Sequence, residues 1–450
     1  MGQLFGTDGI RGVANEYPIT AEMAMNIGRA TAHLFKKKGH VPKIIIGKDT
    51  RISGYMLENA LVSGICSMGV NAILVGVIPT PGIAFMTNSM RADAGIVISA
   101  SHNPFQDNGI KIFSSDGFKL PDETEGAIEE IIFANNLHTL HPSPSELGKA
   151  YRMDDARGRY TVFLKHTFPK EYSLEGSRIV LDCSNGATYR VAPDTFSELG
   201  AEVSTLFDEP NGKNINLHCG SQHPEALAEE VLKTKADVGF AFDGDGDRLI
   251  AVDETGTVLT GDQILAICAS VMKKEGSLTH NLVIRTVMSN IGLSVALQKL
   301  NIDSFMTKVG DRYVLEEMLA RGASIGGEDS GHLIFLRHHT TGDGIVTALQ
   351  VAAAMKKEGK PLSELARIMK VFPQVLINVT VKSRPDIATV PEIMAAIQEV
   401  EAKLGDQGRV LVRYSGTQNM CRVMVEGPSQ EETGAFCRLI ADVVKKKLNA

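Results

Sequence analysis

The chain has 450 residues, 43% of them hydrophobic, and a formal net charge of −7. This length exceeds what one hydrophobic core usually serves, so several domains are expected. The negative charge argues against a general nucleic-acid binder, and an anionic ligand would need locally clustered cations. The amino terminus does not resemble a signal peptide, and Asn71, Pro79 and Pro81 interrupt the most apolar stretch, 70–86. We therefore expect a cytoplasmic protein with neither nucleic acid nor a membrane among its partners.

The predicted elements begin with a repeating strand-and-helix order. In the first copy, strands at 43–47, 71–77 and 94–99 alternate with helical patterns at 55–68 and 82–90. Short apolar runs alternating with helical patterns are typical of βαβ units on a mainly parallel sheet. The same order recurs twice, at 178–182, 189–199, 202–207, 224–235 and 238–242, and at 282–285, 293–300, 303–307, 313–320 and 323–326.

The pattern changes from about residue 369. Strands at 375–381, 409–413 and 421–426 are interleaved with helices at 392–404 and 431–448, which indicates a small α+β unit. The sequence therefore predicts an α/β chain in which three similar βαβ-type mixed-sheet domains and a C-terminal α+β domain surround a central cleft. The expected domain ranges are 1–150, 151–252, 253–368 and 369–450.

Three unusual polar loops follow the last predicted strand of each copy. They are Ser-His-Asn-Pro at 101–104, Asp-Gly-Asp-Gly-Asp-Arg at 243–248 and Gly-Glu-Asp-Ser-Gly-His at 327–332. In parallel α/β sheets, ligands bind beyond the carboxyl ends of the strands. Three copies of one architecture therefore bring three loops to equivalent places, and we expect one shared cleft.

The second loop has the composition of a metal site. Asp243, Asp245 and Asp247 alternate with glycines, so the three carboxylates can face one side around a small ion. Oxygen ligands with room for water and phosphate favour Mg²⁺. A calcium loop is the alternative, but Arg248 stands where such loops need glycine. A solvated acidic turn without a ligand is a further alternative.

Ser101, at the end of a strand, is a candidate carrier of a phosphoryl group. A serine hydroxyl is a weak nucleophile until a base or a metal activates it, and Lys111 and the acidic loop could supply those groups. The G-x-S-x-G elbow of lipases is absent. The simpler interpretation is a serine that caps a turn.

A phosphate ligand would require cations close to these loops. The candidates are Arg11, Lys48, Arg51 and Arg248. In the tail, the loop at 413–417 offers an arginine, two hydroxyls and backbone N–H groups as a phosphate cradle, unless it is only a turn.

The third loop could contact a sugar. The side chains of Glu328 and Ser330 can hydrogen-bond sugar hydroxyls. The imidazole of His332 could transfer a proton, or His332 could be a hydrogen-bonded histidine of the core.

These residues carry a resemblance that covers essentially the whole chain. The sequence resembles the α-D-phosphohexomutase superfamily through seven motifs in the same order: FGTDGIRG (5–12), SASHNPFQDNGIK (99–111), FDGDGDR (242–248), KVGDRYV (308–314), GGEDSGH (326–332), TTGDGI (340–345) and RYSGT (413–417).

The resemblance implies roles for most of the candidates. Ser101 would be the phosphoserine and a ligand of one Mg²⁺ ion held by Asp243, Asp245 and Asp247. The remaining catalytic residues would be His102, Lys111, Arg248 and His332. The residues that bind the substrate would be Arg11, Lys308, Glu328, Ser330, Arg413, Ser415, Gly416, Thr417 and Arg422.

The implied reaction converts glucosamine 6-phosphate to glucosamine 1-phosphate for the synthesis of UDP-N-acetylglucosamine and cell-wall precursors. Glucosamine 1,6-bisphosphate would be the intermediate and activator, and the chain would act on small sugar phosphates as a monomer or homodimer. Two features depart from the family pattern. Asp329 replaces a common glutamine, and Tyr414, Gln418 and Asn419 replace Pro, Glu and Pro in the tail loop.

Three other functions stay open. A mutase of mannose or glucose phosphates would differ only in the sugar. An aspartyl-phosphate phosphatase would use Asp243 as its nucleophile, although Asp247 stands where those enzymes usually have Thr or Val. A non-catalytic glycan- or calcium-binding protein is the third.

Overall fold

The structure is a computed structural model that describes residues 4–6, 8–36, 41–134, 137–139, 142–415 and 419–448. The chain forms two compact units. The large unit comprises Met1–Val287 and Asp303–Arg367, and the C-terminal unit comprises Met288–Ile302 and Ile368–Ala450. Within the described ranges, no helix combines the length and the apolar composition needed to cross a bilayer.

Six of the described strands form the first sheet of the large unit, in the order β1-β5-β4-β2-β3-β6. Strands β2, β3, β4 and β6 are parallel, whereas β5 and β1 are added in antiparallel pairings. The elements are β1 (Ile10–Val13), α1 (Ala21–Phe35), β2 (Lys43–Lys48), α2 (Ser53–Ser67), β3 (Asn71–Val77), α3 (Thr80–Ser89), β4 (Ala94–Ile98), β5 (Asp107–Ser114), α4 (Asp122–Phe133) and β6 (Ala150–Arg152).

The second sheet has the order β11-β10-β9-β7-β8, with β10 antiparallel to β9. Its elements are α5 (Ala156–Thr167), β7 (Arg178–Asp182), α6 (Val191–Glu198), β8 (Glu202–Leu206), α7 (Glu225–Thr234), β9 (Val238–Phe242), β10 (Leu249–Asp253) and β11 (Val258–Leu259).

The third sheet has the order β13-β12-β14-β15, with β15 antiparallel to β14. The chain here comprises α8 (Gly261–Lys274), β12 (Leu282–Thr286), α9 (Ile291–Lys299), β13 (Asp303–Thr307), α10 (Asp311–Arg321), β14 (Ile325–Gly327), β15 (Leu333–Phe335), α11 (Gly344–Glu358) and α12 (Leu362–Ala366).

The three sheets share one feature that positions the candidate site. In each, the last parallel strand turns into an antiparallel neighbour, at β4–β5, β9–β10 and β14–β15. The three polar loops are these turns. The predicted class, three mixed-sheet α/β domains and a C-terminal α+β domain, is confirmed. The sequence pattern does not single out β5, because its Asp107, Asn108 and Gly109 are poor strand formers.

The C-terminal unit contains an antiparallel sheet of order β16-β18-β17. Its elements beyond α9 are β16 (Gln374–Thr380), α13 (Pro391–Leu404), β17 (Arg409–Tyr414), β18 (Met420–Glu426) and α14 (Gln430–Leu448). The apolar faces of α13 and α14 cover one face of the sheet around the fully buried Val423 and Ile440.

Helix α9 belongs to this unit by its contacts, although its sequence lies between two strands of the third sheet. The Asn290 side chain caps the helix by accepting from Gly292 N at 3.0 Å. Ile291 N donates to the buried carboxylate of Glu426 at 2.8 Å. Such partners are fixed by packing and cannot be read from the repeat.

Candidate active site

Ser101 occupies a strained and fully buried position directly after β4. Its φ is +53°, in the left-handed region that non-glycine residues seldom adopt. Its N–H donates to Ser99 Oγ at 2.9 Å, and Ser99 Oγ in turn donates to Asp49 Oδ2 at 2.7 Å. A conformation of this kind persists only where the surroundings hold it.

Arg51 supplies much of that support. Its side chain is fully buried, and its guanidinium donates to the carbonyl oxygens of Ser101 at 2.8 Å, Asn103 at 2.9 Å and Pro104 at 2.6 Å. Arg51 Nε also pairs with Asp49 Oδ2 at 2.9 Å. These contacts assign Arg51 to holding the serine loop, where its planar donors are already used, and its role as a phosphate ligand stays a prediction.

The second sheet domain also holds the serine loop. Asn216 Nδ2 donates to the carbonyl oxygens of Ser101 and Asn103, both at 2.9 Å.

Lys48, another predicted phosphate ligand, instead lies in a buried ion pair with Glu58. The acid neutralises the ammonium group, and the role of Lys48 as a phosphate ligand stays a prediction.

The acidic loop meets the serine directly. Ligand atoms of Asp243, Asp245 and Asp247 all lie within 4.8 Å of one another, and the three side chains are buried. Ser101 Oγ donates to Asp243 Oδ2 at 2.6 Å. The turns after β4 and β9 therefore bring a hydroxyl and three carboxylates to one point.

Backbone and hydroxyl contacts fix the acidic loop. Thr80, at the start of α3, donates its N–H to the Asp245 carbonyl at 2.9 Å and its hydroxyl to Asp245 Oδ2 at 2.7 Å. Ala187 N donates to the Gly244 carbonyl at 2.8 Å. Gly246 has φ +72° and a Cβ there would lie 2.6 Å from Thr188 Cγ2, so the turn requires glycine.

The electrostatics of the acids fit a bound dication. Burial and the carboxylates of Asp247 and Asp245 raise the pKa of Asp243 well above its ordinary value. Oδ1 of both Asp245 and Asp247 is buried without a hydrogen-bond partner among the described residues. Clustered carboxylate oxygens with unsatisfied lone pairs suit a hard cation such as Mg²⁺.

Lys111 offsets part of this negative charge. Its Nζ lies 3.1 Å from Asp245 Oδ2, 3.6 Å from Asp247 Oδ2 and 3.2 Å from Asp8 Oδ2. Burial alone would lower the pKa of Lys111, but these carboxylates raise it above its ordinary value. The ammonium group is therefore charged at neutral pH.

Arg248 is the second cation beside the acidic loop. Its Nε lies 3.8 Å from Asp247 Oδ1, and its backbone N–H donates to Asp243 Oδ1 at 3.2 Å. Burial opposes its charge, but the carboxylates of Asp247, Asp243 and Asp245 raise its pKa. Its Nε has no hydrogen-bond partner among the residues that the structure describes, so it can donate to an anion.

Further charged residues, which the sequence reasoning missed, complete the wall of the site. Asp8 pairs with Arg11, and its Oδ1 lies 2.6 Å from Lys119 Nζ. Lys119 also pairs with Asp311, at the start of α10. Asp8 and Asp311 lie within the motifs at 5–12 and 308–314, which was the available signal. Their pairing with Lys119 depends on packing alone.

His332 in the third loop faces these acids. Its Nε2 lies 3.6 Å from Asp311 Oδ2 and 4.0 Å from Asp247 Oδ2. Neither ring nitrogen has a hydrogen-bond partner in the described part of the chain, so the interpretation as a hydrogen-bonded core histidine fails. Gly342 packs against the ring, since a Cβ there would lie 2.4 Å from Nε2.

The other predicted site residues near the third sheet differ from His332 in their contacts and exposure. Glu328 Oε1 accepts from Gly310 N at 2.9 Å, and Ser330 is half-buried. Asp329 Oδ1 lies 3.4 Å from the backbone nitrogen of Asp262 near the start of α8. Lys308 is exposed, with its Nζ 5.7 Å from the centre of the Tyr313 ring.

His102 adjoins the serine without a close hydrogen bond to it. Its Nδ1 lies 3.4 Å from Ser101 Oγ, longer than the distance from that oxygen to Asp243. Burial and the cations Arg248 and Arg11 lower the pKa of His102 to about 4, so its ring is neutral near pH 7.

Some of these side chains line a cavity of about 410 Å³, within the size range of small-molecule sites. Both signs of charge are present at its wall, as an anionic sugar derivative together with a cation would require. Among its lining residues are Asp8, Arg11, Asp247, Arg248, Asp311, Glu328 and His332.

The C-terminal unit carries a separate pair of cations. Arg413 on β17 and Arg422 on β18 are cross-strand partners and both are half-buried. Burial and the charge of Arg422 lower the pKa of Arg413. Ser415 is buried and its N–H donates to the Met420 carbonyl at 2.9 Å. Gly416 and Thr417 lie outside the described residues.

Four family models match the chain in order. They describe the phosphoglucomutase/phosphomannomutase α/β/α domains I, II and III, at 2–139, 159–256 and 260–372, and the C-terminal domain at 376–443. The chain therefore belongs to the phosphoglucomutase/phosphomannomutase family of phosphohexomutases, which are isomerases.

Two relatives specify the similarity further. The chain is 80% identical over 448 residues to the phosphoglucosamine mutase of Syntrophus aciditrophicus, covering all of both chains. It is 63% identical over 445 residues to the phosphoglucosamine mutase of Syntrophobacter fumaroxidans, covering 99% of each.

Solved structures agree on the fold. A phosphoglucomutase/phosphomannomutase family protein of Burkholderia thailandensis matches with a TM-score of 0.79 at 25% identity, covering 98% of both chains. The N-acetylphosphoglucosamine mutase of Aspergillus fumigatus, in complex with GlcNAc-6P and magnesium, matches with a TM-score of 0.64 at 16% identity, covering 98% of this chain and 95% of that one.

Proposed function

We propose that the chain is a phosphoglucosamine mutase that interconverts glucosamine 6-phosphate and glucosamine 1-phosphate in the cytoplasm. The observation that carries the proposal is the 2.6 Å contact between Ser101 Oγ and the buried acidic triad. The 80% identity to a phosphoglucosamine mutase over the full length supports the choice of sugar. A phosphohexomutase reaction needs a nucleophile, a cation site and groups that bind phosphate; Ser101, the acidic triad and the arginines Arg413 and Arg422 are our candidates for these roles.

In the proposed forward reaction, Ser101 carries a phosphoryl group. The O1 hydroxyl of glucosamine 6-phosphate attacks that phosphorus, the bond from phosphorus to Oγ breaks, and the proton of O1 passes to a base. His332 is the candidate base, because neither ring nitrogen has a hydrogen-bond partner among the described residues and the side chain lines the cavity. Lys111 is charged and instead neutralises the transferring group.

The product of this step is glucosamine 1,6-bisphosphate. After it turns around in the site, Ser101 Oγ attacks the phosphorus of the 6-phosphoryl group and the bond from phosphorus to O6 breaks. O6 takes back the proton that the base received from O1, and glucosamine 1-phosphate leaves. Accepting either end of the sugar requires one cradle for the phosphate that is not reacting. We assign this role to Arg413, Ser415, Gly416, Thr417 and Arg422.

Asp243, Asp245 and Asp247 would hold one Mg²⁺ ion per chain together with the Ser101 phosphoryl group. The bound ion would polarise the phosphoryl oxygens and neutralise developing charge. In the unphosphorylated state, Asp243 Oδ2 accepts a hydrogen bond from the Ser101 hydroxyl.

The remaining assignments are predictions of the same kind. Arg11, Lys308, Glu328 and Ser330 are assigned to the sugar phosphate, and His102 to the catalytic group. The domain boundaries at 1–150, 151–252, 253–368 and 369–450 and the monomer or homodimer state stay predictions.

Two measurements on the purified protein test the function. Intact mass should show one added phosphoryl group on the wild type and on a Ser63→Ala control, but none on Ser101→Ala. Ser63 is an exposed helical serine, so the control makes the same chemical change away from the site. Phosphate found on Asp243 instead would favour the aspartyl-phosphate phosphatase.

The sugar is tested by turnover. The value of kcat/KM for glucosamine 6-phosphate should exceed those for mannose 1-phosphate and glucose 1-phosphate. A preference for either neutral sugar would retain the mutase and overturn the amino-sugar assignment. Absence of turnover on all three, with sugar binding unaltered in Ser101→Ala, would favour a non-catalytic binding protein.

A further inference from the structure

A second cavity in the large unit shares no lining residue with the one described above. Its volume is about 390 Å³, again within the range of small-molecule sites. It lies at the carboxyl ends of β2, β3 and β6, where parallel sheets place their ligands, and next to the start of α6. None of the roles assigned above uses it.

The charge of this second cavity is opposite to that of the whole chain. Four cationic side chains and two acidic ones line it, which leaves an excess of two positive charges in a chain of net charge −7. Lys48 and Glu58 neutralise each other. The other lining charges are Arg152, Arg157, Arg190 and Asp154.

The three arginines differ in their present partners. Arg157 Nε lies 3.4 Å from the exposed Asp194, a weak pair. Arg152 and Arg190 make no ion pair with any acid that the structure describes. Their exposed guanidinium groups are therefore available to an anion that enters the cavity.

Two tyrosines add flat surfaces to the same cavity. Tyr55 is 60% exposed, with Lys48 Nζ 4.2 Å from its ring centre. The guanidinium of Arg190 lies 5.2 Å from the centre of the Tyr189 ring. A tyrosine ring flanked by cations suits a ligand that has an apolar ring face beside an anionic group.

We propose that this cavity is a binding site for a phosphorylated small metabolite. Arg152, Arg157 and Arg190 would bind the phosphate through charge-assisted hydrogen bonds, and Tyr55 and Tyr189 would contact its ring. The proposal goes beyond the mutase reaction and does not depend on it.

The position of the site gives its occupant a route to the acidic loop. Ala187, which lines the cavity, donates to the Gly244 carbonyl at 2.8 Å. Ile78, which also lines it, is two residues from Thr80, whose hydroxyl holds Asp245 at 2.7 Å. The same backbone therefore lines this cavity and supports the candidate metal site.

Arginine labelling tests the proposal at the level of single residues. The wild-type protein is treated with phenylglyoxal without Mg²⁺, in the presence and absence of inorganic pyrophosphate, and modified arginines are quantified by peptide mass spectrometry. At a pyrophosphate concentration about ten times its Kd, Arg152 and Arg190 should be protected by about ten-fold, the factor set by occupancy of the site. Arg337 and Arg367, which are also exposed but lie elsewhere, should react equally in both samples.

Calorimetry with pyrophosphate provides the second measurement. Arg152→Ala/Arg190→Ala should lose one binding site, while Arg337→Ala/Arg367→Ala, which removes the same charge, should keep it. Both double variants change exposed side chains. Their melting temperatures, and their mutase turnover in buffer without inorganic phosphate or pyrophosphate, should equal those of the wild type and so show that they are folded. Equal labelling of all four arginines, or identical binding by the two variants, would overturn the proposal.

Discussion

The acidic triad of the large unit and the arginine pair of the C-terminal unit are both clusters of like charge, but their signs are opposite. Asp243, Asp245 and Asp247 gather negative charge in a buried turn. Arg413 and Arg422 place two positive charges opposite each other on neighbouring strands, with no acid paired to either among the described residues. Each region collects like charges and leaves room for the ion that would neutralise them.

The pKa shifts show the same effect with opposite signs. Burial and neighbouring carboxylates raise the pKa of Asp243, whereas burial and the neighbouring guanidinium lower the pKa of Arg413. In both cases the charged form is disfavoured until a ligand arrives. A ligand that binds only the folded state then stabilises it. In each cluster, the repulsion between like charges therefore costs stability in the ligand-free protein.

The largest effect is expected for Asp243→Asn. Turnover should fall roughly 10³-fold, the loss typical of removing one electrostatic group from a reacting centre. The melting temperature of the metal-free protein should not fall, because burial already favours the neutral form of Asp243. Kinetics and thermal unfolding measure both, with the exposed Asp442→Asn as a control. Retained turnover with a lower melting temperature would show that Asp243 stabilises the fold and does not serve the reaction.

Magnesium should stabilise the protein in a pH-dependent manner. At about a hundred times its Kd, a ligand adds roughly 2.7 kcal/mol. Without metal, the pKa of Asp243 is higher in the folded protein than in the unfolded chain. The contribution of this group to the free energy of unfolding therefore falls as the pH rises through the range between those two pKa values. The gain from Mg²⁺, which must displace the Asp243 proton, should therefore be larger at about pH 8 than at about pH 5.5.

Differential scanning calorimetry with and without Mg²⁺ at both pH values makes this measurement. Asp243→Asn should remove the pH dependence of the gain that is due to this residue. A gain from Mg²⁺ that is equal at both pH values in the wild type would show that Asp243 is not protonated in the metal-free protein.

Arg51 provides the contrasting case of a cation whose bonds are complete. Arg51→Lys keeps the charge but loses the planar donors that hold Ser101, Asn103 and Pro104. We expect a loss of roughly 2–3 kcal/mol in stability and a fall in kcat of about thirty-fold, with KM little changed. Arg159→Lys, at an exposed pair with Asp155, is the matched control. A raised KM with normal stability would mean that Arg51 contacts the substrate.

Arg413→Gln should have the smallest effect on the folded protein. KM should rise about ten-fold through the loss of one phosphate contact, and the melting temperature should stay equal or rise as the repulsion from Arg422 disappears. Arg409→Gln on the same strand is the control, because Arg409 pairs with the buried Glu426 and its loss should lower stability. A lower melting temperature for Arg413→Gln would show that the pair is structural.

The local elements and the chemistry of their turns can be predicted from short stretches of the amino-acid sequence. Strands 178–182, 238–242 and 303–307 coincide with β7, β9 and β13, because alternating apolar runs and helical patterns are encoded by neighbouring residues. The spacing of Asp243 and its two partners, and the position of Ser101 after a strand, were equally readable. Order and type along the chain follow from short-range pattern.

Which distant side chains become hydrogen-bond or ion-pair partners depends on the tertiary structure. Arg51 and Asn216 donate hydrogen bonds to carbonyl groups of the serine loop. Lys119 forms ion pairs with Asp8 and Asp311. The tertiary structure also places α9 in the C-terminal unit. An arginine or an aspartate can satisfy its hydrogen bonds with many partners, and packing of sheets and helices selects among them. Sequence pattern therefore predicts where the polar groups lie along the chain, and the folded backbone determines what each one holds.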